Sequence, residues 1–148
     1  MIGCFHKDRG ERTTTSKQVY PSYFLQGCPP EDASTEVLQI YRMCIGAHPA
    51  SVDFVSFYQS NPEKFKDNPN AYGLSVLKSR KACQSAYRKI PRMRRYASVA
   101  VGTTNEERGC WKNTPSKRLP EHLTWWVCEG VNPLDFFETD CILDGNEE

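Results

Sequence analysis

His122 is the residue best suited to chemistry. It lies in Glu121-His122-Leu123-Thr124-Trp125-Trp126-Val127-Cys128, the stretch with the strongest strand composition in the chain. Side chains alternate along an extended strand. Leu123, Trp125 and Val127 therefore share one face, and His122, Thr124, Trp126 and Cys128 the other. The first set reads as core. The second joins an imidazole, a hydroxyl, an indole and a thiol, a mixture that suits a pocket wall. There Trp126 would offer a stacking surface and His122 a hydrogen-bond donor or a general base near neutral pH. The simpler reading is a half-buried histidine bonded to a neighbouring strand or loop.

Arg42 is the second candidate. It interrupts the apolar run Glu36-Val37-Leu38-Gln39-Ile40-Tyr41-Arg42-Met43-Cys44-Ile45. A guanidinium stays charged, so inside a strand it needs an anion or several carbonyls. Asp53 is the structural partner the sequence offers, and a ligand phosphate or carboxylate is the functional one. Ser56 and Ser75 sit beside apolar residues, in Asp53-Phe54-Val55-Ser56 and Gly73-Leu74-Ser75-Val76. Each would hydrogen-bond a ligand from the sheet or serve as a cap or turn hydroxyl.

A charge feature stands apart from these. Lys78, Arg80, Lys81, Arg88, Lys89, Arg92, Arg94 and Arg95 fall in one stretch without an acid. Arg80, Lys81, Arg88, Arg92, Arg94 and Arg95 are the residues expected to contact a phosphate backbone or an acidic partner, unless the surface is simply solvated. No spaced nucleic-acid motif accompanies them. Metal ligation is not expected: Cys-x-x-Cys and His-Glu-x-x-His patterns are absent, and Cys4-Phe5-His6 with Cys28 lacks a second half. Seven cysteines without a local signature make a weak set of nucleophiles.

These residues need elements to position them. The run from Glu36 to Ile45 alternates as a strand, with Leu38, Ile40, Arg42 and Cys44 on one face. Ser51 is placed to cap a short helix over Val52 to Tyr58, and Asn61-Pro62-Glu63 opens another turn. Tyr72 to Leu77 reads as a short strand. From an N-cap at Ser79, Ala82, Cys83, Ala86, Tyr87 and Ile90 line one helix face until Pro91 stops it. Tyr96 to Val101 and Cys110 to Lys112 read as strands, and Asn132-Pro133 caps a closing turn under Phe136 and Phe137. Only one strand–helix–strand unit is clear. The expectation is an α+β domain whose mixed or antiparallel sheet carries one main amphipathic helix and several short ones.

The 148 residues suit one domain. We expect a flexible or peripheral arm over 1–19, the domain over 20–139 and an acidic tail over 140–148. Apolar residues at 39% and charged residues at 25% exclude a wholly disordered chain. A net charge of +1 confines any nucleic-acid or membrane role to local patches. No apolar run reaches the length of a signal peptide or a membrane span. With an odd number of cysteines, reduced thiols in a cytoplasm are expected.

The order of elements resembles a family. Tyr41-Arg42 on a first strand, Asp53-Phe54-x-Ser56, Gly73-Leu74-Ser75-Val76 leading into an alanine-bearing helix, and the strand Tyr96 to Val101 look like small ADP-ribosyltransferase-like toxins, including the RES type. The resemblance spans about residues 38–128. In those proteins an arginine or histidine on the first strand and a serine or tyrosine on a later one hold nicotinamide dinucleotide, and a glutamate usually completes the site. Here Glu121 and Glu129 flank the last strand and Glu138 follows it, none of them in that place. The resemblance implies NAD as ligand, with Arg42 on the pyrophosphate, Ser56 or Ser75 on ribose or nicotinamide, Trp126 stacking, and His122 orienting or taking a proton. The alternative is a non-enzymatic module whose basic helix, 78–95, meets nucleic acid or an acidic protein.

Overall fold

A computed structural model describes residues 18–144. Each apolar alternation in the sequence forms a strand: β1, Leu38–Cys44; β2, Leu74–Leu77; β3, Ser98–Thr104; β4, Gly109–Asn113; and β5, His122–Val127. A sixth, β6, is Glu138–Ile142. They form one sheet in the order β4-β5-β2-β1-β3-β6, antiparallel at every pairing. Three α-helices accompany it: α1, Phe57–Ser60; α2, Pro62–Phe65; and α3, Arg80–Lys89. The α+β expectation holds, with the sheet purely antiparallel.

Local chemistry explains the helix ends. Ser79 caps α3, its hydroxyl accepting the Ala82 amide at 3.0 Å, and Pro91 closes it by forcing Ile90 into extended backbone. The helix expected over 52–58 splits instead. Ser51–Phe54 is a single 3-10 turn, Val55 is extended, and α1 starts afresh from Ser56 as its cap. Asn61 caps α2 ahead of Pro62, as its sequence suggests.

The sheet is covered on both sides. One face buries Ile40, Leu74, Val76, Ala100, Leu123, Trp125 and Phe137. The Trp125 indole donates to the Thr104 hydroxyl at 2.9 Å, so its polar edge is satisfied inside the core. Gly102 leaves room for the Phe137 ring: a Cβ there would lie 2.7 Å from ring carbon Cδ1. On the opposite face α3 seats Cys83, Ala86 and Ile90 against Leu77 and Val99. Tyr72, Cys110 and Trp126 form a second cluster, packed by Tyr20, Phe24 and Tyr58.

Three expectations are corrected here. Thr124, Trp126 and Cys128 are buried, so the second face of β5 is packed rather than open. The boundary at 139/140 falls inside β6, where Cys141 pairs with Val99 and Leu143 is buried just beyond. Cys128 is disulfide-bonded, while Cys28, Cys44, Cys83 and Cys110 carry free thiols, so the all-reduced expectation fails at Cys128. At the other end Gln18 donates to the Glu106 carbonyl at 2.6 Å and Val19 accepts the Glu129 amide, so the last two residues of the expected arm are docked. Residues 1–17, including Cys4 and His6, and 145–148 lie outside the described residues.

The feature that matters for function is a weak seam in the sheet. β1 pairs with β3 along its whole length, from Leu38 opposite Thr104 to Cys44 opposite Ser98. With β2 it pairs only where Tyr41 meets Leu77.

Candidate functional site

Arg42 sits at that seam. The register puts Tyr41, Leu77 and His122 on one face of the sheet and Arg42 on the other. Because β1 and β2 part beyond Tyr41, the guanidinium reaches between them. Its Nε donates to the Asp53 carbonyl at 2.7 Å and its Nη1 to the Ser75 carbonyl at 2.6 Å. Side-chain bonds thus replace missing ladder bonds. The Asp53 carboxylate is occupied elsewhere: Oδ1 accepts the Ile45 amide at 2.9 Å and Oδ2 the Ala50 amide at 2.8 Å, closing the loop after β1. The expected Arg42–Asp53 pairing exists, but through the backbone of Asp53. Among the described residues no carboxylate forms an ion pair with Arg42. Burial lowers its pKa from the ordinary value, yet an arginine remains a cation.

A cavity of about 60 Å3 opens at this place, walled by Arg42, Ser75, Tyr96, His122, Met93 and Leu119. Three sequence-predicted residues, Arg42, Ser75 and His122, come together in it. The Ser75 hydroxyl makes no hydrogen bond among the described residues. The volume matches about two water molecules at roughly 30 Å3 each, so it accepts one polar group while a larger ligand would extend across its mouth.

His122 is held by Thr114. Its Nδ1 lies 3.0 Å from the Thr114 carbonyl and 2.8 Å from the Thr114 hydroxyl, which in turn meets the Thr124 hydroxyl at 2.9 Å. A carbonyl only accepts, so we assign the proton to Nδ1 and leave Nε2 as the acceptor. Burial pulls the imidazole pKa below its ordinary value of 6.5; the Thr114 carbonyl opposes this and the Arg42 cation adds to it. Both the tautomer and the neutral charge leave His122 able to accept a hydrogen bond or a proton.

The other candidates lie elsewhere. Ser56 is the cap of α1: its hydroxyl accepts the Gln59 amide at 3.1 Å while Gln59 Oε1 accepts the Ser56 amide at 2.9 Å. It borders a different cavity. Trp126 is fully buried, its indole donating to the Pro69 carbonyl at 3.0 Å, and it lines neither cavity. Tyr96 is the pocket residue that sequence reasoning missed. It reads as the start of a strand, and only the 3-10 turn Pro91–Arg95 brings it over Arg42.

The basic run divides. Arg80 holds Asp140 bidentately at 2.6 and 2.9 Å, tying α3 to β6. Arg94 folds back on the end of α3, donating to the Tyr87 and Arg88 carbonyls at 2.6 Å each. Arg95 donates to the Tyr96 hydroxyl at 2.7 Å. Lys81, Arg88 and Arg92 stay exposed, without an ion pair among the described residues. No group of His, Cys, Asp or Glu among the described residues is arranged to hold a metal, and no described helix is long and apolar enough to cross a membrane.

Comparison of the chain with protein-family models, with curated proteins and with solved structures returned no match.

Proposed function

We propose that this protein binds an NAD-type nucleotide at the seam between β1 and β2. The observation that carries the reading is the meeting of Arg42, Ser75 and His122 around one cavity. A guanidinium enclosed without a carboxylate partner favours an anion, and a phosphate suits its planar donor fork. The neutral His122, with Nε2 as acceptor, suits a ribose hydroxyl beside that phosphate. Ser75 and Tyr96 add hydroxyls of either polarity. The cavity seats one such group, and the rest of the dinucleotide would extend across its mouth. Glu121 is engaged by the Ser79 hydroxyl at 2.9 Å, and among the described residues no glutamate lines this cavity. The reading is therefore binding, since none of the described pocket residues supplies the carboxylate that ADP-ribosyl transfer needs.

NAD is expected to raise the melting temperature of the full chain, and Arg42→Gln and His122→Ala each to remove the rise. No rise at millimolar NAD in the unaltered protein refutes the reading.

A second reading rests on Lys81, Arg88 and Arg92, exposed cations of the run that hold no ion pair among the described residues. They form a surface suited to an acidic macromolecule, and binding there would weaken steeply with salt.

A further inference from the structure

A second cavity, of about 290 Å3, lies away from the seam and is close in size to an ordinary small-molecule site. Four aromatic rings line it: Tyr23, Phe24, Phe54 and Tyr72. Among the described residues its wall contains one carboxylate, Glu129, and no lysine, arginine or histidine. Glu129 is exposed and forms no ion pair among the described residues.

The rings brace one another. Tyr23 and Tyr72 both stack with Tyr58, at 5.5 and 4.1 Å between centroids, and Phe24 meets Tyr72 edge-on at 5.7 Å. Tyr23 nevertheless keeps 42% of its surface exposed. Glu129 is close enough to Tyr23 to oppose ionisation of its phenol. Aromatic faces carry negative potential and attract cations, most strongly where water is partly excluded. A carboxylate at the rim adds attraction of the same sign, and none of the described wall residues is a competing cation.

We infer that this cavity binds an alkylated ammonium group, such as a quaternary ammonium compound or a methylated lysine side chain. A bare metal ion does not fit the chemistry, because the wall presents rings and a single carboxylate. Neither does a phosphate, which the negative lining repels. The site shares no lining residue with the seam cavity, so it stands or falls independently of the nucleotide reading.

The test is calorimetric titration of the full chain with choline and with its neutral analogue, in which carbon replaces the ammonium nitrogen. Choline is expected to bind, and the neutral analogue to bind about tenfold more weakly, because shape is equal and only the charge differs. Glu129→Gln and Tyr23→Ala should each weaken choline by roughly three- to tenfold. Tyr23→Phe should keep the affinity, since the ring face and not the hydroxyl makes the contact. Both side chains reach solvent, so the variants are expected to fold, and melting curves check this. A trimethyl-lysine peptide forms the second arm: binding tighter than choline assigns the cavity to a modified protein tail, and equal or weaker binding assigns it to a free small cation. Absence of choline binding, equal binding of the neutral analogue, or full affinity in both folded variants overturns the proposal.

Discussion

Replacing Arg42 by methionine keeps much of the aliphatic stem and removes the charge. Two carbonyls, Asp53 and Ser75, then lose their donors. A buried acceptor left without a partner costs about 1–3 kcal/mol, so the pair costs about 2–6 kcal/mol. Against this, the variant no longer encloses a cation that lacks a carboxylate partner, and replacing buried ions by apolar groups returns about 1–4 kcal/mol in other proteins. The residue keeps a minority of its surface in solvent, which reduces both figures. The net expectation is a loss of about 1–3 kcal/mol, read from urea unfolding with the m-value unchanged. Affinity for NAD should fall much further in relative terms. A charge-assisted bond to phosphate contributes about 1.5–3 kcal/mol, equivalent to roughly 10- to 150-fold in Kd. The two readouts separate the roles of the residue. A folded variant that binds NAD as tightly as the parent would refute the anion seat, and a stability loss above about 5 kcal/mol would show that the guanidinium is chiefly a brace across the seam.

Other perturbations follow from the same geometry. His122 titrates below 6.5 when folded, so the unfolded chain takes up the proton first as pH falls. Stability attributable to it is intact above that value and is lost as the pH drops below it, and His122→Gln should flatten this part of the melting-temperature profile; an unchanged slope contradicts the assignment. Gly102→Ala drives a methyl against the Phe137 ring and should cost about 1–3 kcal/mol in urea unfolding, whereas unaltered stability would mean the ring moves freely. Arg88→Glu with Arg92→Glu should leave the melting temperature nearly unchanged while Arg94→Ala lowers it, because only Arg94 ties down the end of α3. Equal losses would contradict that division of the basic run.

Much of the framework was legible because it rests on local rules. Period-two alternation located β1, β2 and β5 to within two residues, and Ser79 with Pro91 bracketed α3. What escaped depends on distant contacts. The polar face of β5 looked like a pocket wall, but Tyr20, Phe24, Tyr58 and Tyr72 cover its Trp126 end, and no local pattern announces that packing. β6 was hidden by its acids: Asp140 faces Arg80, a partner on another element. The site was half-readable. A charge inside an apolar strand marked Arg42, and a histidine on a strong strand marked His122. Their meeting depends on β1 parting from β2, a property of the sheet rather than of either strand. Ser56 and Ser75 looked alike in sequence. Only the fold assigns one to a helix cap and the other to the cavity.

The most direct test of the nucleotide reading is to follow the His122 imidazole resonances by NMR while NAD is added to the full chain, with Arg42→Gln as the control. NAD is expected to shift the His122 signals saturably in the unaltered protein and to leave them fixed in the control. His122 signals that stay fixed at saturating millimolar NAD, or that move equally in the Arg42→Gln variant, would contradict the nucleotide reading.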